Sequence, residues 1–330
     1  MTELVIGAGV MGLCVAAELS ARGRAVTVID REEGAGPHHC SWWAGGMLAP
    51  DCEGETAEEP VVRLGRAAAD WWAAQGAQVT RAGTLVAALP RDRAELARFA
   101  RRVPGETLDA EAFDALEPAL AGRGLRGMFV ADEAHLDPRA AITGLRARLA
   151  ARGVTFERGE GRVGQIAGGR VIDCRGLAAR DVLPDLRGVR GEMAVLRAPD
   201  IVLTRPVRLL HPRFPLYVVP RGDGIFMLGA TQIESAGRGP ATLRSVVELL
   251  SAAYALHPGF GEAELLEIGA DARPAFPDNL PRIRRRGATI HVNGLFRHGF
   301  LLAPALARQL AGWLCDGNKP ELCDEDHGEW

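Results

Sequence analysis

Two hydrophobic patterns alternate in the first thirty residues. Residues 4–6 (LVI) form a short apolar run, which predicts a buried strand. Residues 11–23 carry apolar side chains at helical spacing and end at Gly23, a residue type that commonly terminates helices. Residues 25–30 (AVTVID) are mostly β-branched and predict a second strand, which ends at Asp30. The chain therefore begins with a predicted β-α-β unit whose turn is residues 7–12 (GAGVMG).

The remaining pattern predicts further helices and a larger number of strands. Strands are predicted at residues 82–89, 125–132, 190–197, 216–220, 224–230 and 288–294, with a hairpin-like pair at 162–174. Helices are predicted at residues 61–75, 91–103, 137–154, 242–256 and, starting near Leu301 or Leu302, up to 314. The acidic tail after that helix is aperiodic, and either disorder or a mobile cap fits it.

This order of elements predicts an α/β fold, α+β overall. Strand-turn-helix units at both ends indicate a Rossmann-type, doubly wound nucleotide-binding domain, and the middle strands indicate an interleaved, largely antiparallel substrate domain. We assign residues 1–77, 136–187 and 266–330 to the nucleotide-binding domain and residues 78–135 and 188–265 to the substrate-binding domain.

Composition excludes several classes of function. The net charge of −3 gives no electrostatic footprint for nucleic acid or an anionic membrane. No apolar run approaches the roughly 20 residues of a membrane helix, and the start of the chain does not resemble a signal peptide. The six cysteines form no CxxC pair, so a reduced, cytoplasmic setting is expected.

The turn GAGVMG has the spacing of a dinucleotide-binding fingerprint. Gly7 permits a tight turn, Gly9 lets the backbone approach a pyrophosphate, and Gly12 lets the helix pack on the strand. The helix N-terminus offers N–H groups to phosphates, and Asp30 stands where a carboxylate accepts hydrogen bonds from ribose. The fingerprint by itself fits FAD and NAD equally.

Two further glycine-rich stretches favour FAD over NAD. Gly45 and Gly46 offer a backbone surface without Cβ atoms to a ring system, and Gly294 and Gly299 flank a turn into the last helix. A helix N-terminus aimed at a flavin would stabilise the negative charge that forms on reduction. An NAD-dependent dehydrogenase would share the first unit but would leave these stretches unexplained.

Residues 38–40 (HHC) raise a metal-site alternative. They are consecutive, and no second pair of ligands is spaced to complete a tetrahedral site, so we predict no metal there. Trp42 and Trp43 follow, and we expect them to line the cofactor groove or the domain junction without taking part in the chemistry.

Five segments together resemble the D-amino-acid oxidase-type flavoenzymes, and within them the glycine oxidases. They are VIGAGVMGLCVAAELSARG, SWWAGGMLAP, YVVPRGDGIFMLGAT, ARPAFPDNLPRI and NGLFRHGFLLAP, in the family's order and spanning nearly the whole chain. The resemblance implies non-covalent FAD, a small amino acid as substrate and O2 as electron acceptor. It also allows a homo-oligomer and a functional link to thiazole synthase in thiamine biosynthesis.

The resemblance assigns three residues to the substrate. Arg273 would grip the carboxylate through two parallel donors, with Ala272 standing where the family has Leu. Arg297 would lie close to flavin and substrate, and Tyr217 would line the substrate site. His298 replaces an Asn of some relatives, and we expect no catalytic role for it.

The resemblance also assigns the cofactor contacts. Cys40 departs from the family's hydroxyl residue and is a poorer hydrogen-bond donor. The predicted cofactor-binding residues are Gly7, Ala8, Gly9, Val10, Met11, Gly12, Asp30, Arg31, Cys40, Ser41, Gly45, Gly46, Met47, Val163, Gly294, Arg297, His298, Gly299, Phe300 and Leu301.

The implied reaction is oxidation of glycine to iminoglycine, with O2 reduced to H2O2. Hydride transfer from Cα needs alignment and a dry site, so no acid or base is expected beside Cα. The alternatives left open are a broader D-amino-acid or sarcosine oxidase, a dehydrogenase that avoids oxygen, and a non-catalytic FAD-binding protein. Cys315 and Cys323 lie well past the flavin loop, which argues against covalent attachment.

Overall fold

The computed structural model describes residues 2–161, 170–212 and 215–325. In chain order, the strands are β1 Thr2–Ile6, β2 Ala25–Asp30, β3 Met47–Leu48, β4 Val79–Thr80, β5 Thr84–Ala88, β6 Glu106–Leu108, β7 Arg126–Val130, β8 Ala134–Leu136, β9 Thr155–Arg158, β10 Arg170–Asp173, β11 Arg187–Arg197, β12 Val207–Leu210, β13 Leu216–Gly222, β14 Ile225–Gly229, β15 Ile233–Glu234, β16 Glu264–Ala275, β17 Arg282–Arg286, β18 Thr289–Asn293 and β19 Cys323–Glu325. The helices are α1 Val10–Ala21, α2 Pro50–Glu53, α3 Glu59–Gly65, α4 Ala68–Ala74, α5 Arg93–Ala100, α6 Ala110–Leu116, α7 Pro138–Ala151, α8 Leu243–Leu256 and α9 Gly299–Asp316.

A seven-stranded sheet holds the predicted β-α-β unit at its centre. Its strand order is β19-β17-β18-β10-β1-β2-β9, and β1 pairs in parallel with both β10 and β2. Helix α1 packs against α9, and both helices are apolar over most of their surface because they lie in one shared core with the sheet. Gly23 follows α1 with a φ of +72°, so the predicted glycine stop is confirmed.

The second large sheet is mostly antiparallel. Nine strands form it in the order β15-β11-β14-β13-β12-β5-β7-β6, with β16 paired to β11. Helix α8 covers one face and shares a hydrophobic core with β11 and β14. The α/β fold class with a largely antiparallel second sheet is therefore confirmed. The domain boundaries stay a prediction, and β16 belongs to this sheet although residues 266 onward were assigned to the nucleotide-binding domain.

Four local predictions need correction. The helix predicted at residues 61–75 is two helices, α3 and α4, and the break lets both lie against α9. The predicted hairpin at residues 162–174 is wrong in its second half, because β10 pairs in parallel with β1 and β18, and residues 162–169 lie outside the described part. The last helix begins at Gly299, ahead of the predicted Leu301 or Leu302, and part of the tail forms the edge strand β19.

Candidate functional site

One cavity of about 1470 Å³ lies between the two large sheets and brings most of the predicted site residues together. Its volume exceeds the range of about 300–1,000 Å³ that is usual for a drug-sized ligand. The predicted residues that line it are Gly7, Gly9, Val10, Met11, Asp30, Arg31, Cys40, Ser41, Gly45, Gly46, Met47, Tyr217, Arg273, Arg297, His298, Gly299, Phe300 and Leu301. Three predicted residues, Ala8, Gly12 and Gly294, stand behind this surface, and Val163 lies outside the described residues.

The turn between β1 and α1 is built as the fingerprint predicts. Gly7 has a φ of +103°, and a Cβ atom on Gly12 would overlap the carbonyl oxygen of Gly7, so only glycine lets α1 sit this close to the strand. Gly9 is the N-cap residue and supplies no side-chain cap. Ser41 Oγ accepts a hydrogen bond of 3.0 Å from the Val10 amide, which places this predicted contact residue at the helix N-terminus.

Asp30 connects this turn to the histidines that follow β2. Its Oδ2 atom accepts hydrogen bonds from the Ala8 amide at 2.6 Å and from His39 Nε2 at 3.0 Å. Desolvation acts to raise the pKa of Asp30, but these hydrogen bonds outweigh it and lower the pKa to about 2. Asp30 is therefore held as a carboxylate at the cavity wall, the form that accepts hydrogen bonds from hydroxyl groups.

The side chains of Asp30, His38 and His39 have the spacing of a three-residue metal cluster. One ligand atom from each lies within 4.8 Å of the others. The same Asp30 oxygen already accepts from the Ala8 amide and His39, whereas His38 Nε2 and His39 Nδ1 are buried without a hydrogen-bond partner. The absence of a metal at residues 38–40 stays a prediction.

Replacing Asp30 by Asn should remove a pH-dependent part of the stability. The pKa of this carboxyl is lowered from 3.8 to about 2, so the ion contributes about 2 kcal/mol above pH 4, and this contribution is lost as the pH falls towards 2. Guanidinium unfolding of the FAD-free protein at pH 6 and pH 3 measures it. The difference between wild type and D30N should shrink by about 1 kcal/mol at pH 3. A difference that is the same at both pH values would contradict this assignment.

The Gly45-Gly46 segment needs glycine for its packing within the protein as well. A Cβ atom on Gly45 would lie 2.7 Å from the Tyr217 ring, and one on Gly46 would overlap the Leu136 carbonyl oxygen. Both residues line the cavity, and their contact with a ring system stays a prediction. Arg221 fixes the segment, because its guanidinium donates to the carbonyl oxygens of Gly45 and Leu136, both at 2.7 Å.

Gly294 also proves to be a packing residue. Its φ is +80°, and a Cβ atom there would overlap the Phe276 ring. The neighbouring residues that follow it, from Leu295 to Leu301, do line the cavity. The predicted C-terminal contact therefore begins one residue later than Gly294.

The two tryptophans lie where the sheets meet. The Arg139 guanidinium stacks 4.5 Å from the centre of the Trp42 ring and pairs with Glu267 at 2.7 Å. Trp43 lines the cavity, and its ring occupies the space over Gly269 in β16. Both expectations for this pair are met, since Trp42 lies at the junction and Trp43 at the cavity.

Arg273 and Tyr217 both line the cavity from the antiparallel sheet, Arg273 on β16 and Tyr217 on β13, with β11 and β14 between these strands. The Arg273 guanidinium lies over Gly191, where a Cβ atom would overlap it, and donates to the Thr231 carbonyl oxygen at 3.1 Å. The Tyr217 ring lies between Gly45 and Gly229. Desolvation raises the pKa of Tyr217, so the hydroxyl is a neutral donor at physiological pH.

Arg297 also lines the cavity, but it is already paired. Its Nε atom lies 2.7 Å from Glu53 Oε2, and its NH2 group donates to Thr56 Oγ1 at 2.7 Å. His298 is buried, and its Nε2 atom lies 2.9 Å from the same Glu53 oxygen. Both side chains therefore share one carboxylate at the cavity wall, and their contact with cofactor or substrate stays a prediction.

Glu53 is the principal residue that the sequence prediction missed. It ends the one-turn helix α2, and Arg208 lies 3.4 Å away on its other oxygen. Desolvation acts to raise the pKa of Glu53, but Arg297, His298 and Arg208 outweigh it and hold the pKa well below its usual range. The only signal in the sequence was an acidic residue eight positions after Gly45, and that signal cannot be separated from a surface glutamate.

Two helix N-termini face the cavity, and neither has a side-chain cap from its own N-cap residue, which is Gly9 for α1 and His298 for α9. At α1 the Val10 amide donates instead to Ser41 Oγ. Such N-termini favour anions, which fits the diphosphate of a dinucleotide at α1 and the negative side of a reduced flavin at α9. The pKa of the Cys40 thiol is raised to about 12 by desolvation, so this residue is a neutral neighbour of the cofactor path. The residues present therefore fit FAD.

Comparisons with known proteins agree with this fit. The DAO family, described as "FAD dependent oxidoreductase", matches residues 4–313. A putative thiamine biosynthesis oxidoreductase ThiO of Rhizobium etli is 55% identical over 94% of the chain and 95% of its own length. The glycine oxidase of Pseudomonas aeruginosa is 28% identical over 96% of the chain and 95% of its own length.

Among solved structures, the glycine oxidase from Geobacillus kaustophilus shares the fold. Its TM-score is 0.81 at 23% identity, and the match covers 97% of the chain and 95% of that structure. Within the described residues, no helix has the length and apolar character needed to cross a membrane.

Proposed function

This chain belongs to the DAO family of FAD-dependent oxidoreductases, and from that premise we propose that it oxidises glycine to iminoglycine, with O2 reduced to H2O2. Its relatives are of the ThiO and glycine oxidase type, so it is an enzyme of amino-acid oxidation that resembles proteins of thiamine biosynthesis. We further propose that it supplies thiazole synthesis in a cytoplasmic setting and holds FAD without a covalent bond.

The observation that carries the proposal is Arg273 beside Tyr217 in the cavity that the N-termini of α1 and α9 face. The guanidinium offers two parallel donors to one carboxylate, which fixes both its position and its orientation. Tyr217 offers a hydroxyl donor to the same carboxylate. It lies close enough to Arg273 for the guanidinium charge to act on it. The Tyr217 ring packs against the backbone of Gly45 and Gly229, which holds the tyrosine in place at the cavity wall.

The chain contributes binding and orientation, and the redox chemistry is that of the cofactor. Glycine loses two electrons and two protons to become iminoglycine, and O2 gains the same electrons and protons as H2O2. When bound, FAD carries the electron pair between them. Arg273 holds the carboxylate so that Cα is presented in one orientation, and this alignment supplies most of what the residues contribute to the rate. The substrate amine enters in its neutral form.

A peroxide assay across glycine, sarcosine and D-alanine tests the proposal. Glycine should give the highest kcat/KM, and glycine under anaerobic conditions should bleach the flavin absorption. A preference for D-alanine or sarcosine would point instead to the broader oxidases of the family. Bleaching without peroxide would indicate a dehydrogenase, and no bleaching by any of the three would indicate a non-catalytic FAD-binding protein.

A further inference from the structure

Glu53 is a carboxylate at the cavity wall that the proposed mechanism does not use, and basic side chains surround it. Its two carboxylate oxygens meet Arg297 at 2.7 Å, His298 at 2.9 Å and Arg208 at 3.4 Å. The side chain is only 12% exposed, and it lines the same cavity as Arg273 and Tyr217. The carboxylate therefore belongs to the substrate cavity without being open to the substrate amine, because its oxygens are already occupied by donors.

Arg273 and Arg297 differ in what surrounds their charge. Arg297 is neutralised by Glu53, whereas within the described residues no carboxylate pairs with Arg273, which donates to the Thr231 carbonyl. Both arginines act electrostatically on Tyr217, as do Arg221 and Glu53, so these four charges lie around one tyrosine. Of the two arginines predicted to bind substrate, Arg273 has no carboxylate partner among the described residues and Arg297 carries its own anion.

We propose that Glu53 is a specificity-determining residue that restricts the substrate to amino acids with a single carboxylate. This rests on the proposed function and names the class of substrate for the same site. The first carboxylate binds Arg273. A second anionic group, on the nitrogen or the side chain of the substrate, would have to approach Arg297, and there it would meet the Glu53 carboxylate.

The magnitude of this discrimination follows from Coulomb's law. At about 5 Å and an effective dielectric constant of about 20, repulsion between two unit charges lowers an affinity by more than tenfold. Removing the Glu53 charge leaves Arg297 and Arg208 without the anion that they share. A second anionic group would then be attracted, and the pocket would accept compounds with two carboxylates.

The test uses the FAD-loaded enzyme and two inert carboxylates. Acetate carries one negative charge and malonate two, and the perturbation of the flavin spectrum on titration gives a dissociation constant for each. In E53Q the affinity for malonate relative to acetate should rise at least tenfold over wild type. The double variant E53Q/R297Q should lose that gain, because the freed guanidinium is what would bind the second carboxylate.

Two matched variants separate charge from disturbance of the fold. E55Q removes an equal charge 3.9 Å from Arg208 and outside the cavity wall, so its malonate-to-acetate ratio should equal that of wild type. E53D keeps the charge and should keep the wild-type ratio. If E53Q does not hold FAD, R297Q alone gives the answer: Glu53 keeps His298 and Arg208 but loses its nearest cation, so the ratio should fall at least tenfold.

An E53Q ratio within twofold of wild type, an equal rise in E55Q, or an R297Q ratio that does not fall would overturn the proposal. These titrations need no turnover. A chain that binds acetate but does not oxidise glycine would refute the proposed function and still decide the role of Glu53. Conversely, an unchanged malonate-to-acetate ratio in an enzyme that oxidises glycine would refute only the proposed role of Glu53.

Discussion

Replacing Arg273 by Ala should lower kcat/KM for glycine by about a hundredfold or more, mostly through KM. Truncating one partner of a hydrogen-bonded charge pair costs about 2–5 kcal/mol of binding free energy. The carboxylate is held equally in the bound substrate and in the transition state, so the loss is expected in KM rather than in kcat. Arg273 lies on β16 over Gly191, and its described partner is the Thr231 carbonyl oxygen. When Arg273 is removed, no other guanidinium among the described residues at that point is available to bind the substrate carboxylate. Steady-state peroxide production against glycine concentration measures the effect.

Two companion variants sharpen this result. R273K keeps the charge but loses the planar fork, and it should recover part of the affinity. R187A removes an arginine that pairs with Glu234 at 2.6 Å outside the cavity wall, and its KM should stay within twofold of wild type. If R273A still holds FAD and its KM lies within threefold of wild type, Arg273 does not bind the carboxylate.

The parts of the fold that the sequence predicted best are those decided locally. The β-α-β unit needs an apolar strand, glycines at three fixed positions and a helical spacing of apolar residues, and each is readable within thirty residues. The two helices at residues 61–74 were read as one because nothing local marks the break. Both segments pack on α9, some 230 positions further along the chain, so tertiary packing determines the break between them.

The candidate site divides along the same line. Gly9, Ser41 and Asp30 were predicted from spacing and resemblance, and the structure brings all three to one helix N-terminus. Glu53 and Arg208 were missed because their role exists only where α2 meets β12, and no spacing within the chain encodes that meeting. The glycines show what spacing leaves out. Gly45 and Gly46 line the cavity, and their close packing against Tyr217 and Leu136 is a tertiary contact that no local pattern indicates.

The Glu53 cluster also changes how the arginines are to be understood. Sequence resemblance treats Arg273 and Arg297 as two substrate-binding cations, whereas the structure gives them different electrostatic surroundings. A buried cation that keeps its own anion is compensated before any ligand arrives, and a substrate carboxylate gains little by displacing that partner. Arg273 is therefore the residue on which a single carboxylate should depend, and its substitution is expected to have the largest effect on activity.

Replacing Gly12 by Ala should have the largest effect on stability and on FAD retention. A Cβ atom there would overlap the Gly7 carbonyl oxygen, and this backbone atom cannot rotate away as a side chain can. Helix α1 would have to move off β1, at a cost of about 2–3 kcal/mol, and its N-terminus would move away from the cavity with it. Guanidinium unfolding of the FAD-free protein and the flavin absorption of the purified protein measure the two effects.

The same substitution at Gly144 is the matched control. Gly144 lies inside α7 with open space where a Cβ atom would go, so alanine there should stabilise the protein by about 0.5–1 kcal/mol through its helix propensity. One glycine-to-alanine change should therefore lower the free energy of unfolding and the other should raise it. A G12A protein that purifies yellow, with an unfolding free energy within about 0.5 kcal/mol of wild type, would show that α1 can shift without cost. The close strand-helix packing at Gly12 would then not be what places the helix N-terminus at the cavity.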